Sequence, residues 1–222
     1  ISFPGSLASI ADAAFKNCVD LVSVTLPSGS DYTSVSASLF EGCVNLSSVA
    51  FSANVEEISA NAFSGCTALA QVTLPGSLIE IGDSAFEGCV TLSEIMLPGS
   101  VELIGDAAFR NCVLLKNVYF SEAVTFIGDY AFAGCVQLVQ AVLPDAIVSL
   151  GAYAFSGTGL KEITLPAGLS VLSEGTFENC AALEKVVLTE SISEIGDYAF
   201  KNCAKLSEIE ILSGVVSLGV NP

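Results

Sequence analysis

The feature that most constrains the fold is a phenylalanine that returns at a nearly fixed interval. Its nine copies are separated by 25, 23, 23, 23, 23, 23, 22 and 23 residues, and a phrase close to I-G-D-x-A-F-x-G-C-x-x-L-x-x-V surrounds most of them. Such self-similarity indicates an array of stacked units, each unable to bury its own apolar face alone. The copies are Phe15, Phe40, Phe63, Phe86, Phe109, Phe132, Phe155, Phe177 and Phe200.

The residues after each Phe predict a short strand. In one copy, Ile95 and Leu97 alternate with Glu94 and Met96, which is the pattern of a strand with one buried face. A period of 20 to 29 residues with this core is typical of leucine-rich repeats. We therefore predict that residues 1–222 form a single array of about nine 23-residue repeats. The expected fold is a leucine-rich repeat solenoid, a right-handed β/α superhelix. A parallel sheet would line its concave face, and short helical turns or irregular segments its convex face.

The segment before each Phe predicts one of these helical turns. Asp83 would be the N-cap, and Gly88 would stand near the end of the turn. Where this Asp is missing, a Ser often stands one residue earlier. The copy at Ala152 has neither, so its turn should be the weakest. The Asp positions are 12, 83, 106, 129 and 197, and the substituting serines are Ser36, Ser59 and Ser173.

Two irregularities interrupt the period. Two extra residues fall within the loop-like stretch at 27–34, and one residue is missing near Thr158. We expect a local kink at each. Tolerated insertion and deletion explains both more simply than a binding role.

The cysteines all stand three residues after the repeat Phe, and Thr158 fills the ninth slot. Disulfides, a metal site and a small buried filler are three competing interpretations. Equivalent residues in adjacent coils should lie about 4.8 Å apart with parallel side chains, which suits neither a disulfide nor converging metal ligands. We favour the filler. The cysteines are Cys18, Cys43, Cys66, Cys89, Cys112, Cys135, Cys180 and Cys203.

The charge balance limits the partners. With 24 acids against 7 bases, the formal net charge is −17, which disfavours nucleic acid and anionic membrane surfaces. No apolar run approaches the roughly 18 residues of a membrane helix, and no signal peptide is visible. The chain begins at Ile1, so we expect a mature form or a piece of a longer protein. Membrane association would require missing flanking segments.

The residues give no sign of catalysis. The chain has no His, which removes the commonest general base and the usual partner of a nucleophilic Ser or Cys. Its glycines lie in repeat bends and not in a phosphate-binding loop. Calcium binding by the acids is less favoured than simple solvation. We predict no enzyme, catalytic residue, cofactor, metal or small-molecule substrate.

A partner would bind the outward positions of the sheet. Met96, Tyr119 and Val142 should be neighbours in an apolar and aromatic patch of the kind protein interfaces favour. Strand propensity alone explains such residues equally well. A second candidate lies on the convex side, at Tyr130, Tyr153 and Tyr198, whose rings could instead only shield the turns. The polar residues around the first patch are Thr73, Glu94, Lys116, Asn117 and Gln140.

Phrases such as LPGSLIEIGDSAFEGCVTLSEIMLP and IGDYAFAGCVQL resemble the BspA-like leucine-rich repeats. The resemblance covers residues 1–218. It departs at Thr158, in the insertion at 28–33, and where Pro is lost at Ser52, Ser121 and Thr189. It implies a module of bacterial surface proteins and of large protist protein sets. Some members are similar to adhesins that bind extracellular-matrix or other host proteins. The family has no shared catalytic residues.

We therefore expect a non-enzymatic protein-binding module, and the resemblance places it outside the cell or at the cell surface. One alternative is a structural subunit of a larger assembly. Another, weaker alternative is an appendage of a hydrolase whose catalytic domain lies elsewhere.

Overall fold

The repeat folds as a stack of coils joined by parallel strands. The computed structural model describes residues 1–222. Strands one repeat apart pair in register, as Glu94–Met96 does with Asn117–Tyr119. The prediction of a solenoid with a parallel sheet is confirmed.

A first sheet contains the strands that the alternation predicted, but it is interrupted. It consists of two strand pairs and one triplet. Residues 71–74 and 140–143 form no strand, and their backbone groups make no hydrogen bond within the chain. The predicted parallel sheet is therefore interrupted at these two coils. The strands are Ser23–Thr25, Ser48–Ala50, Glu94–Met96, Asn117–Tyr119, Glu162–Thr164, Lys185–Val187 and Glu208–Ile209.

In both cases the strand of the preceding coil is followed directly by Phe. Phe51 and Phe120 occupy the position that Leu26, Leu97 and Leu165 occupy just after strands that pair with the next coil. Their rings pack edge-on against spine rings, with centroids 5.7 Å apart for Phe51 and Phe63 and 5.6 Å for Phe120 and Phe132. We infer that the larger side chain holds the next coil's strand out of hydrogen-bonding distance.

A second sheet, which the sequence analysis did not predict, runs along the returning segments. It is continuous through six strands and resumes with three more. Each strand has only two residues, so no alternation was long enough to reveal it. The strands are Ser34–Val35, Glu57–Ile58, Glu80–Ile81, Leu103–Ile104, Phe126–Ile127, Ser149–Leu150, Val171–Leu172, Glu194–Ile195 and Ser217–Leu218.

The repeat phenylalanines form a stacked spine through the core, as predicted. The seven from Phe40 to Phe177 are fully buried, while Phe15 and Phe200 at the two ends are less so. Neighbouring rings are nearly parallel, and their centroids lie 5.3 Å apart for Phe109 and Phe132. Such aromatic pairs contribute about 0.5–1.5 kcal/mol beyond the area they bury.

The segment around each Phe is a turn and not a helix, which corrects the helical prediction. Its alternate amides donate to the next coil: Ser84 to the Asp106 carbonyl at 2.7 Å and Phe86 to the Ala108 carbonyl at 2.8 Å. Ser84 has a positive φ of 52°, outside the helical region. These amides are therefore unavailable to a helix.

No helix in the structure is long and apolar enough to cross a membrane.

The repeat Asp joins coils and does not cap a turn. Its carboxylate accepts a hydrogen bond from the backbone of the next coil, at 2.8 Å from Asp83 to the Asp106 amide and 2.7 Å from Asp106 to the Asp129 amide. Two of the substituting serines work in the opposite direction, since the hydroxyls of Ser36 and Ser173 donate to carbonyls of the preceding coil, whereas Ser59 donates to the Glu57 carboxylate of its own coil at 2.6 Å. The N-cap assignment was wrong.

The contact between the Asp carboxylate and the next coil also explains why the repeat has Gly just before this Asp. A Cβ at Gly128 would lie 2.4 Å from Asp106 Oδ1, so only Gly admits the preceding carboxylate. From the sequence, this glycine was expected only to permit a bend of the repeat.

The cysteines are free thiols, and six of the eight are buried. Each buried thiol donates to the carbonyl of the preceding coil's Phe, as Cys89 does to Phe63 at 3.2 Å. Thr158 donates instead to Phe155 of its own coil at 2.9 Å. The buried-filler interpretation is confirmed for these six, with the addition of a weak hydrogen bond between coils.

The two irregularities behave differently. At the insertion, Tyr32 takes a buried core position and the first sheet pairs across it, since Ser23–Thr25 pairs with Ser48–Ala50. At the deletion near Thr158, strand pairing is absent between Ser149–Leu150 and Val171–Leu172. The Phe turns remain joined there, since the Tyr153 amide donates to Glu174 at 2.8 Å.

Candidate functional site

Met96 and Tyr119 lie side by side on the outer face of the first sheet. They are Cα partners in paired strands, and the buried side chains of Ile95 and Val118 anchor those strands in the core. Met96 is 67% exposed and Tyr119 is 50% exposed. A thioether and a phenol ring thus form a small apolar surface on a rigid support.

A hollow of about 600 Å³ opens where the pairing beside Met96 fails. The hollow is lined by residues 71–74 and Gly76 of one coil, by Glu94 and residues 96–99 of the next, and by Tyr119. In an intact coil the Leu26 amide donates to the Ala50 carbonyl at 2.9 Å, whereas Leu74 at the equivalent position has no acceptor. The hollow therefore combines apolar side chains with unpaired backbone.

Val142 lies in a separate place. It is 86% exposed and lines a second hollow of about 530 Å³ with Gln140, Glu162, Thr164 and Lys185. No strand pairing joins its coil to Tyr119. The structure thus divides the predicted patch into a Met96–Tyr119 centre and a Val142 centre.

Four of the five predicted polar residues belong to the first centre, whereas Gln140 lines the second hollow. Glu94 and Asn117 are exposed Cα partners, and Thr73 is exposed on the unpaired coil. Glu94 is the one charged residue that lines the first hollow. Lys116 is exposed and lies outside the ion pairs of the chain.

The other candidate is the row of Tyr130, Tyr153 and Tyr198 along the Phe turns, which we call the turn edge. The ring faces of Tyr130 and Tyr153 are already covered by other residues. Tyr130 and Tyr153 stack with centroids 5.0 Å apart, and Arg110 lies 5.4 Å from the Tyr130 ring. The Tyr153 hydroxyl donates to Glu174 at 2.5 Å, and this hydrogen bond raises the pKa of Tyr153. A Cβ at Gly175 would overlap the Tyr153 ring. These contacts favour a role in holding turns together.

Tyr198, further along this edge, has a similar partner. Lys201 Nζ lies 4.6 Å from the centre of its ring and also pairs with Glu178 at 2.8 Å.

Ligating and nucleophilic groups do not converge anywhere in the structure. No group of three His, Cys, Asp or Glu side chains is placed to hold a metal ion. Burial raises the pKa of Cys66 and of Cys112 to about 12. Because the thiolate is the nucleophile, such thiols are poorly reactive near neutral pH.

The face of the second sheet also exposes apolar residues that the sequence analysis missed. Leu103 and Phe126 are Cα partners there, and Phe126 is 37% exposed. The only available signal was their shared repeat position, 17 residues after Phe86 and Phe109.

Comparison with known sequences decides the family. A profile of the BspA type leucine rich repeat region matches residues 1–116 and 103–221, in six copies. The chain belongs to the BspA-type leucine-rich repeat family. The resemblance carried by the I-G-D-x-A-F-x-G-C block is thereby confirmed. No curated protein gives a significant match.

Solved structures share the BspA-type architecture. A leucine-rich repeat protein from Bacteroides ovatus is 26% identical with a TM-score of 0.63, over 99% of this chain and 70% of that one. A leucine-rich repeat protein from T. pallidum is 25% identical with a TM-score of 0.53, over 93% and 77% of the two chains. The fold is thus a leucine-rich repeat solenoid.

Proposed function

We propose that this BspA-type chain is a non-enzymatic, adhesin-like module that recognises a protein partner through the face of the first sheet. The observation that carries the proposal is the exposed Met96–Tyr119 pair beside a hollow with unpaired backbone. Solenoids commonly bind on their extended sheet surface. Aromatic and Met side chains with a polar rim are enriched in protein interfaces.

The roles of the residues follow from their placement. Met96 and Tyr119 are the anchors, and Val142 is a second contact three repeats beyond Thr73. Three coils at the usual strand spacing separate the two hollows by roughly 14 Å. The partner would therefore carry two contact points about that far apart. Thr73, Glu94, Lys116, Asn117 and Gln140 would form the polar rim.

We propose that the first sheet lines the concave side of a right-handed superhelix and that the module is displayed at the cell surface. The resemblance to bacterial surface proteins supports display outside the cell. The module needs no cofactor or small-molecule substrate for this role.

The test is direct binding to a panel of immobilised extracellular-matrix proteins, which are the class of partner that the family resemblance implies. The double variant Met96→Ala/Tyr119→Ala should weaken the interaction by about 30-fold or more, because central aromatic anchors contribute about 2 kcal/mol or more. Its thermal unfolding should be nearly unchanged, since both side chains are exposed.

Val148→Ala is the matched control. Val148 is 63% exposed, like Met96, but belongs to the second-sheet side. Its substitution should leave the affinity intact. Unaltered affinity in the double variant would refute the first-sheet site.

A further inference from the structure

The second sheet differs in charge from the rest of the molecule. Its strands contain Glu57, Glu80 and Glu194, and Glu56 and Glu102 directly precede two of them. None of the seven basic residues lies in or next to these strands. The bases lie in the Phe turns or in and shortly before the first-sheet strands, and they are Lys16, Arg110, Lys116, Lys161, Lys185, Lys201 and Lys205.

Two of these acids stand directly opposite one another. Glu57 and Glu80 are exposed Cα partners in neighbouring strands, which lie about 4.8 Å apart. Neither carboxylate belongs to an ion pair of the chain. Like charges in this position destabilise a sheet. A cation placed between them from outside would relieve the repulsion.

Apolar residues continue the same row into the middle of the sheet. After Glu80 come Leu103 and then Phe126, whose ring is partly exposed. Val148 is exposed in the next coil, and its amide donates to the Thr125 carbonyl at 3.0 Å. An apolar centre with a charged margin is the usual composition of a protein interface.

We propose that the second sheet binds a partner protein through a short cationic segment that also carries an apolar side chain. Lys or Arg of that segment would lie against Glu57 and Glu80, and its apolar side chain against Leu103 and Phe126. A second copy of this chain would bring the same acids and be repelled. An anionic membrane would be repelled for the same reason. This surface is distinct from the proposed first-sheet site.

The test uses a labelled, end-blocked octapeptide of alternating Lys and Val with one central Phe. Fluorescence anisotropy at low salt should show binding to the full chain that weakens as salt is added. Phe126→Ser should weaken binding at least fivefold. Ser already occupies this row at Ser34 and Ser149, so the fold should tolerate it. Glu57→Gln/Glu80→Gln should weaken binding about threefold or more and flatten the salt dependence.

Tyr119→Ala distinguishes the two faces, because it lies on the first sheet and should leave peptide affinity unchanged. The proposal is overturned if the peptide binds Phe126→Ser as tightly as the parent chain, or if affinity depends on Tyr119. It is equally overturned if an all-Lys octapeptide binds as well, or if no binding appears at low salt. None of these outcomes bears on the Met96→Ala/Tyr119→Ala test with matrix proteins.

Discussion

The two sheets are built on one spine and yet differ in continuity and charge. The first sheet is broken at two coils and has four of the seven bases in or shortly before its strands, whereas the second is continuous through six strands and its charged residues are all acidic. Their inward residues are nearly uniform because the core of stacked coils requires it. The difference shows that a repeat leaves its outward positions free to specialise, and that both breaks in the first sheet come directly after a coil with Phe in place of Leu.

The largest loss of stability is expected from a change in the Phe spine, on which both sheets are built. Phe109→Ala should lower the free energy of unfolding by about 3–5 kcal/mol, because a fully buried ring that stacks on Phe86 and Phe132 leaves a cavity. Urea denaturation measures the change. Phe126→Ser, on the outer face of the second sheet, is the control and should cost under about 1 kcal/mol. Equal losses would show that the spine does not support both sheets.

The next largest effect is that of one thiol in the ladder of cysteines at the entrance to the first sheet. Burial raises the pKa of seven cysteines, to about 12 for Cys66. Above about pH 9 the unfolded chain loses thiol protons that the folded chain retains, so stability should fall as pH rises toward 12. Each fully shifted thiol contributes up to about 1.4 kcal/mol per pH unit.

Cys89→Ala isolates one thiol in this titration. Denaturation at several alkaline pH values should give a slope reduced by about one proton relative to the parent chain. A slope that does not change would mean that Cys89 ionises as readily in the folded chain as in the unfolded one.

Repair of the first sheet should have a moderate, local effect. Phe120→Leu copies the residue at Leu97, whose amide donates to the Tyr119 carbonyl at 3.0 Å. We expect residues 140–143 to gain strand pairing, and exchange of the backbone amide at position 120 to slow by about tenfold or more for one hydrogen bond protected from solvent. Total stability should change by less than about 1.5 kcal/mol. Exchange that stays fast would mean that the Phe ring is not what separates the coils.

The smallest effect is expected at the turn edge. Tyr153→Phe removes the hydrogen bond to Glu174 but keeps the stacking on Tyr130. Thermal unfolding should show a loss of at most about 1 kcal/mol, since the bond is exposed. A larger loss would mean that the turn edge contributes more to stability than the outer face of either sheet.

Sequence reasoning was most successful where a position repeats and faces inward. The Phe spine follows from the repeat period, and the strand at Glu94–Met96 follows from the alternation of apolar and polar residues. It failed where the partner of a side chain lies one coil away. Asp83 resembles a local cap in sequence, but its carboxylate accepts from the Asp106 amide, 23 residues further along the chain.

The candidate site was only partly predictable for a related reason. Met96 and Tyr119 were placed together correctly because their strands pair in register. Val142 lies apart from them because its coil, which follows Phe120, forms no strand pairing. The repeat pattern of the sequence does not show whether two successive coils pair. Leu103 and Phe126 were missed because two-residue strands are too short to alternate.

Amide hydrogen exchange of the unmodified chain, resolved by NMR, tests the contrast between the two sheets most directly. The second-sheet amides that donate to the preceding coil, such as Gly82, Gly105 and Gly128, should exchange slowly. The amides of residues 71–74 and 140–143 should exchange quickly, while Leu26, Leu97 and Leu165 remain protected. Uniform protection along the first sheet would contradict the account, because no break would then exist beside Met96 and Tyr119.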